Sequence, residues 1–554
     1  MSKSLDNHDA GWRGAARPLL IPLLVFLLHA LFFARWINDD AGISFAYAHN
    51  FIHGYGLVSQ RGVPPVEGYS NPLWTFLISP LFAFASVDPT PSMKLLSIAF
   101  VVACFLLLAR TIRILIDDES IARRVTTCVL LFIALNTSFV VWTTSGLENP
   151  LYAALIALMA LCCAEWFARA DGRTIRVAAM AGAAAAALAL TRPDGIIFAP
   201  AFPVIAAYVA LREKAWSRLV KPLTIFAVTA AAPLALYLFF RRAYFGSFLP
   251  NTYYAKGGPT LQDVTDLLAL TGRTIDRTLE LFGSLFASWS GLAVLLLILT
   301  VTATVARTAS ARVVALLPML IASWAAFCLL PRDWMAEYRF ATPFIVMLPL
   351  VAFTTIAELT RDKPSRFFVP AAIILGYCGI ICIPRTLHFA ADPTVPFALV
   401  AKDFGLRFNG YADDLGLGET TLLAPDLGGT LYFSRHRVYD LAGLCDPVLS
   451  HYVNNRGVAA ARDYILRIRP TFIHMHTAWT LKSGLLTSPD FRRLYVPIWE
   501  TAPSSGPVPA GDYVLRAAVH SDAALQRARM RAEQPAEATR PIPFPRDHLT
   551  ASPR

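Results

Sequence analysis

Apolar segments of membrane-spanning length decide what this chain can fold into. A helix needs roughly 20 predominantly apolar residues to cross a bilayer, and about eleven segments of the sequence approach or reach that length. Hydrophobic residues make up 56% of the chain and its mean hydropathy is +0.50, which is typical of a polytopic α-helical membrane protein. The predicted spans are 18–36, 93–116, 125–142, 150–168, 177–191, 196–212, 222–240, 288–306, 313–331, 343–360 and 367–386.

The distribution of Lys and Arg over the loops predicts the orientation of these spans. Cytoplasmic loops carry more Lys and Arg than external loops do. The sequence satisfies this rule if the N-terminus is cytoplasmic and the run 72–86, which Pro80 interrupts, lies at the interface without crossing. With an odd number of spans the C-terminus is then external. The net charge of +11 is accounted for by these loops and gives no reason to expect a nucleic-acid partner.

The composition changes after the last predicted span. We predict a transmembrane domain over 1–386 with an external loop at 37–92, and an external α/β domain over 387–520. The second domain is indicated by short strand patterns around a helical pattern, and the Ala-, Arg- and Pro-rich tail 521–554 is predicted to be disordered. The predicted strands are 419–425, 437–441 and 470–475, and the predicted helix is 456–467.

Charged and polar residues concentrate in the predicted external connections, which follow the ends of membrane spans. Ionisable side chains at membrane depth are costly and tend to mark function. Asp39 and Asp40 stand first among them, as the paired acids that follow the first span. The candidates for contact with a substrate are Glu67, Tyr69, Asn71, Glu148, Asp194, Asn251, Tyr254, Asp333 and Trp334.

Structural roles would explain several of these residues equally well. Arg192 could pair with Asp194, and Arg332 with Asp333, as local ion pairs near the headgroups. Glu148 could cap the following helix, and the aromatic residues could form an interfacial belt. His49 and His53 lie four residues apart, but no third metal ligand stands near them in the sequence. No metal site is predicted, although the paired acids could hold a divalent cation in the presence of phosphate.

One chemistry would use acids and cations together at the outer boundary of a membrane. A polyprenyl-phosphate sugar has its tail in the bilayer and its phosphosugar at that boundary. A carboxylate would take the proton of an attacking acceptor hydroxyl, and cations would stabilise the phosphate leaving group. The cations in position are Arg192, Lys256, Arg332 and Arg339. No G-x-x-x-x-G-K-[ST] loop occurs, so the sequence gives no indication that ATP is used.

Helix capping predicts different roles for the two acids. The apolar-periodic helix is expected to begin at Ala41 and to end at His53, which makes Asp40 its N-cap. A carboxylate bound to backbone N–H groups is a weaker base. We therefore expect Asp39 to be the general base and Asp40 to give support.

Several motifs resemble those of the C-fold (GT-C) membrane glycosyltransferases that use lipid-phosphate sugars. "DDAGISFAYAHNFIHGYGLV", "VEGYSNPLW", "SGLENPL", "LTRPDG", "FGSFLPNTYYAK", "DWMAEYRF" and "PDLGGTLYFSRHRVYDLAGLCDP" are similar, in this order, to motifs of a bacterial branch. That branch includes the terminal β-1,2-arabinofuranosyltransferase of mycobacterial cell walls. The resemblance covers roughly residues 35 to 480. It implies a catalytic Asp in the first external loop, an arabinofuranose donor, and a cell-envelope glycan or surface glycoprotein as acceptor. It also implies a bacterial plasma membrane as the location.

The sequence departs from that branch at Ala46, where related chains often have Arg. If such an Arg holds the phosphate, His49 or His53 would replace it here. Two other functions remain open: a transporter or flippase of lipid-linked substrates, and a ligase that moves a whole glycan from a diphosphate lipid. No internal symmetry of the kind found in transporters occurs in the sequence.

Overall fold

A computed structural model of the chain describes residues 18–83, 89–168, 173–286, 312–452, 457–501 and 510–533. The chain forms two compact units, each assembled from three separate stretches of sequence. The first unit consists of Met1–Arg35, Lys94–Tyr237 and Pro259–Thr394, and the second consists of Trp36–Met93, Leu238–Gly258 and Val395–Arg554.

Long apolar helices account for most of the first unit. The described residues hold seven helices that are long and apolar enough to cross a membrane, or eight if one bent pair counts as a single span. The seven are Thr90–Leu115, Asn149–Ala168, Pro193–Glu213, Trp216–Phe245, Arg312–Leu329, Arg339–Leu359 and Pro364–Ala391. Two further predicted spans are shorter helices, Pro18–Leu31 and Ile175–Thr191, and the predicted span 288–306 lies outside the described residues.

The bent pair lies where one straight span, 125–142, was predicted. The helices Glu119–Leu135 and Thr137–Thr144 meet at an angle of 69°. Asn136 lies between them and ends the first helix, while its side-chain oxygen accepts the N–H of Phe139 at 3.0 Å and caps the second. A helix break leaves main-chain N–H groups without partners, and an Asn side chain that accepts one of them lowers the energetic cost of the break.

Burial separates the central helices of this unit from the peripheral ones. The most apolar stretch of Arg339–Leu359 is 89% buried and that of Asn149–Ala168 is 78% buried. Only 6% of the corresponding stretch of Trp216–Phe245 is buried, although its mean hydropathy is 2.1. An apolar helix with so few protein contacts has the composition of a lipid-facing helix. Two more helices of the unit are Leu261–Leu268 and Gly272–Phe286.

A five-stranded mixed sheet lies in the second unit. The strands are β1 (Thr421–Ala424), β2 (Arg437–Asp440), β3 (Phe472–Met475), β4 (Tyr495–Glu500) and β5 (Gly511–Leu515), in the order β2-β1-β3-β5-β4. β1 is parallel to both β2 and β3, and β5 is antiparallel to β3 and β4. The three predicted strands are present. β4 and β5 were not predicted, and the pairing of β4 with β5 is irregular between Pro497 and Trp499, which is where an edge strand tolerates a proline.

Successive residues of the central strands point into two separate cores. Leu422 and Phe472 belong to a core that includes Ala524, Leu525 and Ala528. Their neighbours Leu423 and Ile473 belong to the core on the other face, as expected for side chains that alternate along a strand. The helix Asp522–Glu533 supplies the three residues from the C-terminal segment. The prediction of disorder from residue 521 is therefore wrong for this helix, because its apolar side chains have a core to join.

The second unit also contains helices, and several of them come from loops of the predicted transmembrane domain. Ile43 and Tyr47 of the helix Asp39–Ile52 share a core with Leu427, Leu431 and Leu444. The predicted loop 37–92 therefore belongs to the same unit as the sheet. Contacts between residues so far apart in sequence leave no local signal from which they could be predicted. The other helices are Pro72–Ile78, Asn251–Lys256, Phe397–Val400, Ala401–Leu406 (a π-helix), Arg407–Leu415, Gly428–Phe433, Leu449–Tyr452, Val458–Ile468, Thr477–Ser483 and Pro489–Leu494.

Candidate functional site

The helix that carries the paired acids begins two residues earlier than predicted. It spans Asp39–Ile52, and its N-cap is Asn38, whose side chain accepts the N–H of Asp40 at 3.1 Å. The prediction that Asp40 caps the helix is therefore wrong. Asn and Asp serve about equally well as N-caps, so capping preference alone could not choose between the two positions.

Asp39 is buried and hydrogen-bonded through both carboxylate oxygens. Its side chain accepts the main-chain N–H of Gly428 at 3.0 Å and that of Gly429 at 2.7 Å. A Cβ on Gly428 would overlap the main-chain oxygen of Asp39, so only glycine permits this approach. Burial raises the pKa of Asp39 well above its usual value, the two glycine N–H groups oppose that rise, and the negative charges of Asp426 and Asp40 add to it. These two hydrogen bonds contradict the reason for expecting Asp39 to be the general base, namely that Asp40 would be the acid bound to main-chain N–H groups.

Asp40 is the more accessible of the two acids. Its side chain is 25% exposed, and its carboxylate oxygen lies 3.9 Å from the Nζ atom of Lys256. Lys256 is the last residue of the helix Asn251–Lys256, and its side chain is 52% exposed. The structure thus brings together one predicted catalytic residue and one predicted phosphate-binding residue.

Three predicted substrate contacts of this unit are buried in contacts within the protein. Glu67 pairs with Arg241 at 2.6 Å, and its main-chain oxygen accepts the N–H of Asn251 at 3.0 Å. The Asn251 side chain donates to the main-chain oxygens of Gly443 and Leu444, each at 2.8 Å. The side-chain oxygen of Asn71 accepts hydrogen bonds from the hydroxyl groups of Ser44 and Thr75. Apart from one of the two hydroxyl contacts of Asn71, these contacts connect chain segments at least 27 residues apart in sequence.

The other predicted residues of this unit lie in aromatic contacts. The ring of Tyr69 packs edge-on against Tyr47, with centroids 4.8 Å apart. Tyr254 stacks on His451 at 5.0 Å, and its hydroxyl lies 3.2 Å from the Ser247 hydroxyl. The ring of His53 stacks on that of His49 at 4.2 Å, while its Nδ1 lies 2.9 Å from the main-chain oxygen of His49. Ala46, the position of the expected Arg, is 5% exposed and belongs to the apolar core around the helix.

In the first unit, Arg192 lies buried between two acids. Its Nη1 lies 3.1 Å from the Glu148 carboxylate and its Nε lies 3.0 Å from that of Asp194. Asp194 also accepts the hydroxyl of Tyr152 at 3.0 Å. The Arg192 guanidinium lies 4.8 Å from the ring centroid of Phe340, a distance that permits a cation–π contact. The structure therefore brings three predicted residues together, with one positive charge between two negative charges.

Arg339 forms a second ion pair in the same unit. Its Nε lies 2.9 Å from the Asp333 carboxylate, and its guanidinium also lies 4.8 Å from the Phe340 ring centroid. Since one ring contacts both guanidinium groups, those of Arg192 and Arg339 are less than about 10 Å apart, a separation at which charges still interact. Arg332 does not join them: its side chain is 69% exposed and lies 3.3 Å from Glu280. The neighbouring Trp334 is 68% exposed.

A cavity of about 530 Å³ lies beside these pairs within the first unit. Two ion pairs line it: Arg277 with Glu280 at 2.5 Å, and Arg385 with Glu337 through an Nε–Oε1 contact of 3.2 Å. Glu337 and its neighbour Tyr338 have φ angles of 61° and 49°, a left-handed conformation that is costly for residues other than glycine. Asp333 also lines the cavity. Of the residues at this cavity, only Asp333 was predicted.

Sequence reasoning also missed a partly buried cation, Lys94. Its ammonium donates to the main-chain oxygen of Phe33 at 3.0 Å and to that of Thr144. Both acceptors lie just beyond or at the end of a helix, where main-chain oxygens lack partners within the helix. A search for apolar runs includes a single Lys in a predicted span, so this contact has no local signal in the sequence.

No protein-family model and no curated protein sequence matches the chain. Solved structures do match. ArnT from Cupriavidus metallidurans bound to undecaprenyl phosphate is 12% identical and has a TM-score of 0.53, over 92% of this chain and 99% of ArnT. Its apo form is also 12% identical, with a TM-score of 0.50 over 93% and 100% of the two chains. An Archaeoglobus fulgidus oligosaccharyltransferase in complex with Zn and sulfate has a TM-score of 0.47, is 12% identical and covers 89% of this chain and 73% of its own.

The chain has the fold of ArnT. The likeness confirms the predicted fold class, a GT-C-like polytopic α-helical membrane protein, and the sheet of the second unit confirms the predicted α/β element near the C-terminus. An identity of 12% shows the fold and leaves the roles of individual residues to the chemistry of their surroundings.

Proposed function

We propose that this protein is a membrane glycosyltransferase that transfers a sugar from a polyprenyl-phosphate donor to an acceptor hydroxyl. The observation that carries the proposal is the partly exposed Asp40 carboxylate with Lys256 beside it, on a helix fixed by the buried Asp39. Transfer of a sugar away from a phosphate leaving group requires a base for the acceptor hydroxyl and a cation for the phosphate, close to each other. The undecaprenyl phosphate bound to ArnT, which shares the fold, supports a lipid-phosphate donor.

In the proposed reaction, the acceptor hydroxyl oxygen attacks the anomeric carbon of the sugar. The bond from that carbon to the phosphate oxygen breaks, polyprenyl phosphate leaves, and Asp40 takes the hydroxyl proton. One displacement of this kind inverts the anomeric configuration. We assign the base to Asp40 because its carboxylate is accessible, whereas both oxygens of Asp39 are bound by N–H groups. Asp39 is then a positioning residue that fixes the start of the helix.

Lys256 is our first candidate for the donor phosphate because more than half of its side chain is exposed. His53 and Arg332 are further candidates. Arg192 and Arg339 already have carboxylate partners, and a phosphate at Arg192 would have to approach Glu148 and Asp194. We therefore assign these two arginines to structural ion pairs. The sequence-based expectation that Arg192 and Arg339 help to hold the donor phosphate stays an alternative, and the donor KM of Arg192→Ala tests it.

The finer assignment rests on the sequence resemblance alone. It favours arabinofuranose as the sugar, a cell-envelope glycan or surface glycoprotein as the acceptor, and the bacterial plasma membrane as the location. Under this proposal the N-terminus is cytoplasmic, and Asp40 and the sheet face outward. A divalent cation is not required by the reaction as written, because the base and the phosphate-binding charge both come from side chains.

The decisive experiment incubates the purified full chain with synthetic polyprenyl-phosphate arabinofuranose and an arabinan acceptor. Release of polyprenyl phosphate together with a longer acceptor would support the proposal. The corresponding hexose lipids test the sugar, and a polyprenyl-diphosphate oligosaccharide tests the ligase alternative. Movement of an intact donor across a vesicle membrane, with no transfer, would instead establish a flippase and contradict the proposal.

A further inference from the structure

The topology of the sheet places two strand ends side by side in the second unit. β1 and β3 are parallel neighbours, so their carboxyl ends meet at the same edge. Asp426 follows β1 by two residues, His474 lies within β3, and His476 follows β3 directly. Residues two apart on a strand face the same side. These three residues form a cluster of potential metal ligands. Their ligand atoms lie no more than 4.8 Å apart.

Two of the three side chains already touch. The Nε2 atom of His476 lies 2.6 Å from a carboxylate oxygen of Asp426. Their side chains are 28% and 19% exposed, so a solvated ion can reach them. Fifty residues separate the two in sequence, and this separation explains why no metal-ligand spacing was visible there.

His474 supplies the second, independent observation. It is 4% exposed, and its Nδ1 lies 2.6 Å from the carboxylate of Asp512, its directly opposite neighbour on β5. The Tyr411 hydroxyl donates to the other oxygen of Asp512 at 2.8 Å. With the Nδ1 proton directed at Asp512, the Nε2 atom carries the lone pair, and this atom is buried with no hydrogen-bond partner in the described structure. A carboxylate that orients a histidine in this way is the usual outer partner of a metal-bound histidine.

We propose that Asp426, His474 and His476 bind a divalent transition-metal ion, best matched by Zn²⁺. Two imidazoles and one carboxylate suit zinc, whereas Mg²⁺ and Ca²⁺ prefer all-oxygen sites. Bonds of roughly 2.0–2.2 Å in a tetrahedral site hold ligand atoms about 3.4 Å apart. One present separation is 2.6 Å and the others are at most 4.8 Å, so side-chain rotations of the partly exposed His476 and Asp426 bring the ligands into place. Three protein ligands leave a fourth position open to water or a substrate oxygen.

The ion would act on the segment that holds Asp39. Asp426 is followed closely by Gly428 and Gly429, whose N–H groups bind the Asp39 carboxylate. A metal bound to Asp426 would fix this segment and would neutralise an acid close to Asp39. Metal binding is therefore expected to stabilise the second unit, whatever reaction the protein carries out.

The test uses the full chain purified in detergent, stripped with a chelator and desalted. Zn²⁺ is titrated by calorimetry, bound metal is counted by mass spectrometry, and the thermal midpoint is recorded with and without Zn²⁺. We expect one equivalent of Zn²⁺ per chain and a higher midpoint, with no such effect of Mg²⁺. His476→Ala and Asp426→Asn are expected to abolish stoichiometric binding, and Asp512→Asn to weaken it by about 10–100-fold.

The matched control is His520→Ala, because His520 is exposed and lies outside the cluster. Its zinc affinity and thermal shift should equal those of the wild type. Absence of stoichiometric zinc in the wild-type chain would overturn the proposal. Equal binding by the wild type and His476→Ala would also overturn it, since the zinc would then lie elsewhere, for instance on cysteine. Stripped wild type and stripped His476→Ala should unfold at similar temperatures, which shows that the variant is folded.

Discussion

The carboxylate of Asp39 accepts the main-chain N–H of Gly429 at 2.7 Å, although 390 residues separate the two in sequence. This hydrogen bond, with its partner from Gly428, ties the start of the helix Asp39–Ile52 to the segment that follows β1. It leaves Asp40, the neighbouring acid, with a partly exposed side chain beside Lys256. The division of roles between the two acids follows from this relationship.

Asp39→Asn should lower the stability of the protein. An amide offers one acceptor oxygen, and its NH₂ group would face the second N–H donor. A buried donor without a partner costs about 1–3 kcal/mol. The thermal midpoint in detergent measures the loss, with Asp40→Asn as the control, because that side chain is partly exposed and should leave the midpoint near the wild-type value. Equal midpoints for the two variants would contradict the positioning role of Asp39.

Arg192→Ala should be strongly destabilising, because it leaves Glu148 and Asp194 buried without their shared cation. Removal of one partner of a buried ion pair typically costs about 3–5 kcal/mol. Arg493→Ala is a useful control, since its side chain is 77% exposed and that of its partner Asp490 is 60% exposed. Thermal unfolding measures both. A stable Arg192→Ala protein with a raised donor KM would return Arg192 to the phosphate site.

The stability of the wild type should include a contribution from His436 that rises with pH. Burial lowers the pKa of His436 from 6.5 to about 4. Its Nδ1 accepts the N–H of Thr420 and its Nε2 lies 3.2 Å from the main-chain oxygen of Phe408, a pattern that fits the neutral ring. Between pH 4 and 6.5 the unfolded chain holds a proton that the folded chain does not, so the free energy of unfolding rises with pH by at most about 3 kcal/mol.

His436→Gln retains a donor and an acceptor without the titration. The difference in thermal midpoint between wild type and variant, measured from pH 4 to 7.5, should grow in favour of the wild type up to about pH 6.5 and then stay constant. A difference that does not vary with pH would show that His436 titrates alike in the folded and unfolded chains.

Lys256→Ala should raise the KM for the lipid-phosphate donor and lower turnover, because leaving-group charge grows in the transition state. Lys256→Arg should restore most of the loss, since it keeps the charge. Lys363→Ala, on the exposed surface of the first unit, is the control. Donor kinetics that are unchanged in Lys256→Ala would remove Lys256 from the phosphate site.

The sequence was a good guide to the elements whose signal is local. The apolar runs predicted the helices, and the short patterns around 421 and 472 predicted β1 and β3. It was a poor guide where two choices have nearly equal local energy. Asn38 and Asp40 are equally good caps, and only the tertiary contact of Asp39 with the glycine N–H groups decides the register of the helix.

The site was predictable as a set of residue types and, apart from the local pair of Arg192 with Asp194, not as a set of contacts. Arg192, Glu148 and Asp194 were each identified, but their burial in one ion-pair cluster depends on packing between helices. The cluster of Asp426, His474 and His476 was missed because a sheet brings together strand ends that are distant in sequence. Local patterns carry no information about such pairings.

The most direct test of the proposed function compares the transferase activity of Asp40→Asn with that of the exposed control Asp490→Asn. Polyprenyl phosphate released from a lipid-phosphate sugar is measured for both, beside binding of the donor lipid. We predict that Asp40→Asn binds donor and keeps its thermal midpoint but loses turnover by about 10²–10⁴-fold, the usual contribution of a general base. Asp490→Asn should match the wild type. Full turnover by Asp40→Asn would contradict the assignment of the base and of the active site.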